Sequence, residues 1–234
     1  MTLASLKVAR AAPDLPDGTV TTRWYGPSDA RRDAFALRHR GYAHAGLIEP
    51  SPFGIYSDLY DDLPTTVVAA LWRREAPIAT LRLSFYDPGA AGKTLPCETV
   101  YPEMAAFKAK ADGRVVELSR LAIDPEITNT RYRARVYAAA VKAGLSAALA
   151  MDAQHLLVAT QTKWRAFYEH VMGFKAMGPA QFYPPGDVPV VLLSRRLDDS
   201  VLKRTRNMFF AIDGGEIEAL RADLPGLSGF DVGR

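Results

Sequence analysis

The nine residues from Val116 to Asp124 read Val-Glu-Leu-Ser-Arg-Leu-Ala-Ile-Asp. Glu117, Ser119 and Arg120 put an acid, a hydroxyl and a guanidinium inside an otherwise apolar run of strand length. Burying a carboxylate or a guanidinium costs several kcal/mol per ion unless the charge is paired or put to use. A strand that only fills a core has no reason to carry these groups, so the run reads as an active-site strand. Strict alternation puts Glu117 and Ser119 on one face and Arg120 on the other. A β-bulge, common beside active sites, would change that facing. Cys97 lies in Leu-Pro-Cys-Glu-Thr with no histidine near it in sequence, which argues against a nucleophilic pair. The four histidines and the single cysteine show no metal-ligand spacing, so no metal is expected.

The elements that must position this strand follow from periodicity. Thr19 to Tyr25 alternates as a first strand. Ser28 or Asp29 is placed to cap a helix running to about Tyr42, with Ala34, Leu37 and Gly41 along one stripe. Residues 43–64 carry Gly46, Pro50, Pro52, Gly54 and Pro64, with Tyr56, Asp58, Tyr60, Asp61 and Asp62 among them. A long loop with interleaved rings and acids is expected to be functional rather than a plain connection. Thr66 to Arg73 and Pro77 to Phe85 form a hairpin, and Arg82 falls on the polar-leaning face of the second strand. A short helix is expected near 102–110. Thr128-Asn129-Thr130 offers cap residues for a long helix from Arg131 to about Ala153. A short strand His155 to Thr160, a helix Lys163 to Val171 stopped by Gly173, a strand Phe174 to Met177, a Pro/Gly loop Tyr183 to Val188 and a final strand Val190 to Leu197 complete the pattern. The order is that of a mixed α/β chain. Its expected organisation is an arm at 1–18, one domain at 19–197 and a helical extension at 198–234. In that extension Val201, Thr205, Met208, Phe209 and Ile212 share an apolar face.

The chain has 234 residues, 48% of them apolar and 24% charged, as in an ordinary globular protein. It carries no signal-peptide pattern and no run long enough to span a membrane. One cysteine permits no intramolecular disulfide, which fits the cytoplasm. A formal charge of +3 is too mild to imply nucleic acid. Basic residues nevertheless cluster, at Arg131, Arg133, Arg135 and Lys142 and again at Lys203, Arg204 and Arg206. Such a cluster is either a solvated face or a docking patch for an acidic partner.

Across roughly residues 19 to 197 the order of elements resembles the GNAT-like acyl-CoA N-acyltransferase fold. That fold has splayed central strands, with the donor's pantetheine arm between them and its phosphates at the N-terminus of the long helix. Free backbone N–H groups and the helix dipole favour anions there. Here that end carries Thr130, Arg131, Arg133 and Arg135, without the spaced glycines that form a coenzyme A pyrophosphate turn. A single phosphodiester on a carrier protein needs less of that turn. A narrower resemblance rests on four motifs: Leu37-Arg38-His39-Arg40-Gly41-Tyr42, Asp58-Leu59-Tyr60-Asp61, Leu81-Arg82-Leu83 and Glu117-Leu118-Ser119-Arg120. Their order and spacing resemble the N-acyl homoserine lactone (autoinducer) synthases and the related long-chain N-acyl amino acid synthases.

The resemblance implies a role for each matched residue. Glu117 corresponds to a general base that takes a proton from the attacking amine, and Ser119 to a helper. Arg38, Tyr42, Asp58, Asp61, Arg82 and Arg120 correspond to the charged cluster around the acceptor pocket. Backbone groups near Leu121 to Ile123 correspond to the oxyanion site, and Tyr168 to a proton donor for the leaving thiolate. No tightly bound cofactor is implied; the donor is an acyl-phosphopantetheine on acyl carrier protein, or acyl-CoA. Gly46-Leu47 stands where the lactone synthases carry a glycine followed by tryptophan. The leading expectation is therefore transfer from acyl carrier protein to the α-amine of an amino acid. The alternatives are a lactone synthase using S-adenosylmethionine and a non-catalytic module that binds an acyl chain or a partner.

Overall fold

The computed structural model describes residues 20–88, 94–198, 212 and 214–224. The arm at 1–18, the basic cluster Lys203, Arg204 and Arg206, and Val201, Thr205, Met208 and Phe209 lie outside the described residues. The hairpin decides the architecture. Along β2 (Thr66–Arg73) both alternating sets, Val67, Ala69, Leu71 and Val68, Ala70, Trp72, are buried. A sheet built on such a strand has to be covered on both faces. On one face the first set packs with Ala79, Leu81, Leu83 and Phe85 of β3 (Ala76–Tyr86) against α3 (Thr130–Ala150). On the other face Val68, Ala70 and Trp72 meet Ala34 and Phe35 of α1 (Arg32–His44).

The remaining strands are β1 (Val20–Tyr25), β4 (Val115–Ile123), β5 (His155–Gln161), β6 (Lys175–Ala176), β7 (Gln181–Phe182) and β8 (Pro189–Arg196). They form one sheet in the order β1-β2-β3-β4-β5-β8-β6, with β7 on β8. β4 and β5 are parallel, joined by the α3 crossover, and the other pairs are antiparallel. α2 (Glu103–Lys110) contributes Met104, and the 3₁₀ turn Pro96–Thr99 with its N-cap Leu95 contributes Leu95 and Cys97, to a second core with Val115, Leu157 and Leu192. α3 lies tight on the sheet because Gly144 has no side chain. A Cβ there would stand 2.8 Å from Leu81 and 3.0 Å from Leu118. α4 (Gly214–Asp223) docks on α3, with Lys142 3.0 Å from Glu216 and Arg221 donating to the Ala150 carbonyl at 3.1 Å.

The splay expected of the fold is present. β4 and β5 pair only from Val115 with His155 to Leu118 with Val158. Beyond that point Ser119, Ala122 and Ile123 pair only with β3, and Ala159 to Gln161 only with β8. The two strands therefore open as a fork whose apex lies just past Glu117.

Several local expectations change. α1 is not capped by Ser28 or Asp29, because the Asp29 carboxylate accepts from the Gly26 N–H at 2.7 Å and closes a turn instead. The helix expected at 163–171 is a 3₁₀ turn, Thr162–Trp164, followed by a π-helical turn, Phe167–Val171. Phe167, Tyr168 and Phe174 pack edge to face there, with ring centroids 5.5 and 5.4 Å apart. The segment stops at Gly173, in the left-handed region with φ +73°. The strand expected at 174–177 shortens to β6, and β7 is an added strand. No helix among the described residues is long and apolar enough to cross a membrane.

Candidate active site

Glu117 sits one position before the fork's apex, opposite Ser84 of β3 and Leu157 of β5. Its side chain is fully buried. Oε2 accepts from the Cys97 N–H at 2.9 Å, and Oε1 from the Tyr183 hydroxyl at 3.2 Å. Burial pushes its pKa above the usual 4.5; the Cys97 amide and thiol, the Arg82 charge and Tyr183 work against that rise. A carboxylate has about four acceptor sites, so the Cys97 amide and thiol and the Tyr183 hydroxyl leave one for an incoming N–H. Burial, and after it the Glu117 charge, pushes the Cys97 thiol up, so it stays protonated as a packing group and donor.

Next along β4 comes a bulge. The register skips between Thr80 and Arg82 of β3, and Arg120 has φ +56°. An extra residue in one strand reverses the alternation that follows. Arg120 thereby turns to the same side as Glu117 and Ser119. Its Nε and Nη2 donate to Asp58 Oδ2 at 2.9 and 2.7 Å, and its Nη1 donates to the Pro184 carbonyl at 2.7 Å. The guanidinium lies over the rings of Tyr56 and Tyr183, at 5.7 and 5.9 Å from their centroids. Arg120 thus ties the 43–64 loop to the loop after β7.

Arg82 is fully buried behind it. Its Nε donates to Ser119 Oγ at 3.2 Å, its Nη1 to Asp58 Oδ1, and it stands 3.4 Å from Asp61. Asp61, also fully buried, accepts from Arg38 at 2.7 Å and from the Asp58 N–H at 2.9 Å. Burial alone would raise the Asp58 carboxyl, but Arg82 and Arg120 outweigh it and hold it below its usual value. The loop is pinned along its length. Ser51 donates its N–H to His39 Nε2 at 2.9 Å, and Arg31 donates to Asp62 at 2.7 Å and to the Asp61 carbonyl. Tyr42 of α1 rests on Tyr56, with centroids 5.5 Å apart. Among the described residues, Nε and Nη2 of Arg38 and Nη2 of Arg82 are buried without a protein partner. Arg38, Arg82 and Arg120 against Asp58 and Asp61 leave the cluster with an excess of positive charge beside Glu117.

Of the residues singled out by sequence, Arg38, Tyr42, Asp58, Asp61, Arg82, Glu117, Ser119 and Arg120 come together here. Leu121 and Ile123 lie on the unpaired arm of the fork. The Asp124 N–H turns to β3, donating to the Ile78 carbonyl at 3.0 Å, so alternation turns the Ile123 N–H towards the fork. Thr130, Arg131, Arg133 and Arg135 are exposed around the start of α3, which Asn129 caps by accepting from the Tyr132 N–H at 2.9 Å. Tyr168 is elsewhere. It is buried in the core on the α3 side, its hydroxyl 2.6 Å from that of Tyr137. Sequence reasoning missed Tyr183, whose only signal was a single ring heading the Pro-Pro-Gly loop before the last strand.

A family model described as N-acyl amino acid synthase FeeM matches residues 33–196, well over half of the chain. No curated protein sequence matches the chain significantly. Among solved structures, FeeM, an N-acyl amino acid synthase from uncultured soil microbes, shares 18% identity at a TM-score of 0.61, over 83% of this chain and 98% of that one. The N-acyl homoserine lactone synthase LasI shares 17% at 0.57, over 77% and 91%. BjaI, a coenzyme A-dependent acyl-homoserine lactone synthase seen with S-adenosylmethionine and isopentyl-CoA, shares 16% at 0.55, over 85% and 97%. At these identities the structural likeness carries the fold, which is GNAT-like. Family membership rests on the family model.

Proposed function

The chain belongs to the FeeM family of N-acyl amino acid synthases, and we propose that this N-acyltransferase moves a long acyl chain from acyl carrier protein to an amino acid's α-amine. The observation that carries the reading is Glu117, buried at the apex of the β4–β5 fork with an acceptor site to spare. The thioester carbonyl lies at the apex, the acyl and pantetheine arms along the fork. The acceptor sits on the α1 side, among Arg38, Tyr42, Asp58, Asp61, Arg82 and Arg120. Its carboxylate takes the unmatched guanidinium N–H groups, and its amine faces Glu117.

As nitrogen attacks the carbonyl carbon, Glu117 takes its proton. A positioned base of this kind contributes about 10²- to 10⁴-fold. The oxyanion meets the backbone N–H groups near Leu121 to Ile123. Ser119 keeps Arg82 oriented, and Arg82 in turn favours the ionised form of Glu117. The exposed Arg131, Arg133 and Arg135 at the start of α3 suit an acidic carrier protein whose arm is joined to it by a single phosphodiester.

Product analysis tests the reading. Purified chain is incubated with acyl-carrier-protein thioester and either labelled tyrosine or labelled S-adenosylmethionine, and the products are weighed by mass spectrometry. Label in an N-acyl amino acid is the expected result. Label only in an acyl homoserine lactone would overturn the choice of acceptor, and no acyl product would overturn the reading altogether.

A further inference from the structure

Acyl transfer from a thioester expels a thiolate, and the groups already described give that sulfur no proton. Tyr183 stands where one is needed. Its neighbour Phe182 pairs with Pro189 of β8, and the adjacent Val190 pairs with Gln161 at the end of β5. Its backbone therefore belongs to the β5–β8 arm of the fork. Its hydroxyl nevertheless bonds Glu117 Oε1 on the β4 arm at 3.2 Å. The side chain crosses the fork at its apex, the place where the scissile bond lies on the reading above. The loop that carries it is held on both sides. Arg120 Nη1 holds the Pro184 carbonyl at 2.7 Å, and Leu47 lies so close to Gly186 that a Cβ there would stand 2.6 Å from it. The ring packs in the second core beside Tyr101, centroids 6.1 Å apart, and Arg120 lies over it. Tyr168 is instead buried on the α3 side, with its hydroxyl 2.6 Å from that of Tyr137.

We propose that Tyr183 is a catalytic acid that protonates the departing thiolate and is itself reprotonated by Glu117. The inference rests on the acyl-transfer reading, and its proton account closes. The ammonium nitrogen loses two protons on the way to an amide. One goes to solvent as the acceptor binds in its neutral form. The second passes to Glu117 as the N–C bond forms. The C–S bond then breaks with its electron pair on sulfur, and the Tyr183 O–H gives sulfur its proton. Glu117 returns the nitrogen's proton to the tyrosine oxygen along their hydrogen bond. Glu117 is ionised and Tyr183 protonated at the start and at the end. Burial, and after it the Glu117 charge, pushes the Tyr183 hydroxyl up, so it gives up its proton only in concert with Glu117, which by then carries the nitrogen's proton and replaces it.

The test varies the leaving group. Wild type, Tyr183→Phe, Tyr168→Phe and Glu117→Gln are assayed with an acyl-pantetheine thioester and with an acyl thioester of a nitrothiophenol, whose acidic thiol leaves without a proton. Tyr183→Phe is expected to lose about 10²-fold with the pantetheine donor, the low end of general acid catalysis, and to keep most of its rate with the nitrothiophenol donor. Glu117→Gln is expected to fail with both, since both need the amine deprotonated. Tyr168→Phe is expected to behave as wild type. Equal losses of Tyr183→Phe with the two donors, as a packing or folding defect would give, overturn the proposal. So does a normal rate with the pantetheine donor, or a donor-selective loss in Tyr168→Phe instead. If wild type itself forms no N-acyl amino acid, this proposal and the acyl-transfer reading both fall. If wild type turns over and the donor pattern fails, only this proposal falls.

Discussion

Glu117 is ionisable, wholly buried and held by Cys97 and Tyr183, and these facts set a pH signature. Its folded pKa is raised above the usual 4.5, chiefly by burial. The sign for activity is simple: a base must be ionised, so the acid limb of kcat/KM is expected above 4.5, beyond the range of an exposed glutamate. The sign for stability is opposite. A raised carboxyl contributes stability that is fully present below 4.5 and lost as pH rises through the folded pKa. Relative to wild type, Glu117→Gln is therefore expected to gain in melting temperature as pH rises from 4.5 through the folded carboxyl's pKa, while losing turnover. A variant that loses stability steadily over that window would contradict the burial of an ionising carboxyl. Glu117 and its charged companions were legible because each sits in a short motif on a recognisable element. Tyr183 was not: it is 66 residues from Glu117, in a loop whose path only the β7–β8 pairing determines. Cys97 was legible as a loop residue, but not as the amide that holds the acid.

At the scale of elements, the β4 bulge and the pinned 43–64 loop make the site. The strand, its polar residues and the possibility of a bulge could be read in advance. The facing of Arg120 could not, because alternation gives the opposite side until one residue is inserted. The loop's importance was visible in its rings and acids, and its anchorage became visible only when Arg38 and Asp61 met, both fully buried. Removing one partner of a buried pair leaves a charge uncompensated and costs about 3–5 kcal/mol. Asp61→Ala is expected to destabilise by that order in denaturant unfolding. Adding Arg38→Met, which removes the stranded charge, is expected to recover part of the loss. A double variant as unstable as the sum of the two single variants would show that the pair contributes no coupling. The helix expected at 163–171 is present but changes pitch: its apolar spacing is helical, and it runs from a 3₁₀ turn into a π-helical turn where Phe167 and Tyr168 pack with Phe174 beyond Gly173.

Over the whole molecule, the proposed function places chemistry on one face of the fork and carrier docking at the start of α3. Arg131, Arg133 and Arg135 are exposed at the start of α3. Patches of this kind act chiefly on association and weaken with salt. Changing the three arginines to glutamate is expected to raise KM for the acyl-carrier-protein thioester about 10-fold or more at low salt, with kcat little changed, since a few close charge pairs are worth more than 1.4 kcal/mol together. Unchanged kinetics with that donor would remove the docking role. The overall order of strands and helices was legible because hydrophobic periods mark long elements well. The fork was implied only by resemblance, since nothing in the side-chain pattern says where β4 and β5 stop pairing. The central claim is that Glu117, at the apex of that fork, takes the proton from the attacking amine. Its most direct test is single-turnover acylation of an amino acid by purified wild type and Glu117→Gln, with acyl-carrier-protein thioester as donor. The account predicts N-acyl amino acid and free thiol in equal amounts from wild type, and a rate lower by about 10²-fold or more from folded Glu117→Gln. A folded Glu117→Gln that acylates at the wild-type rate would contradict it.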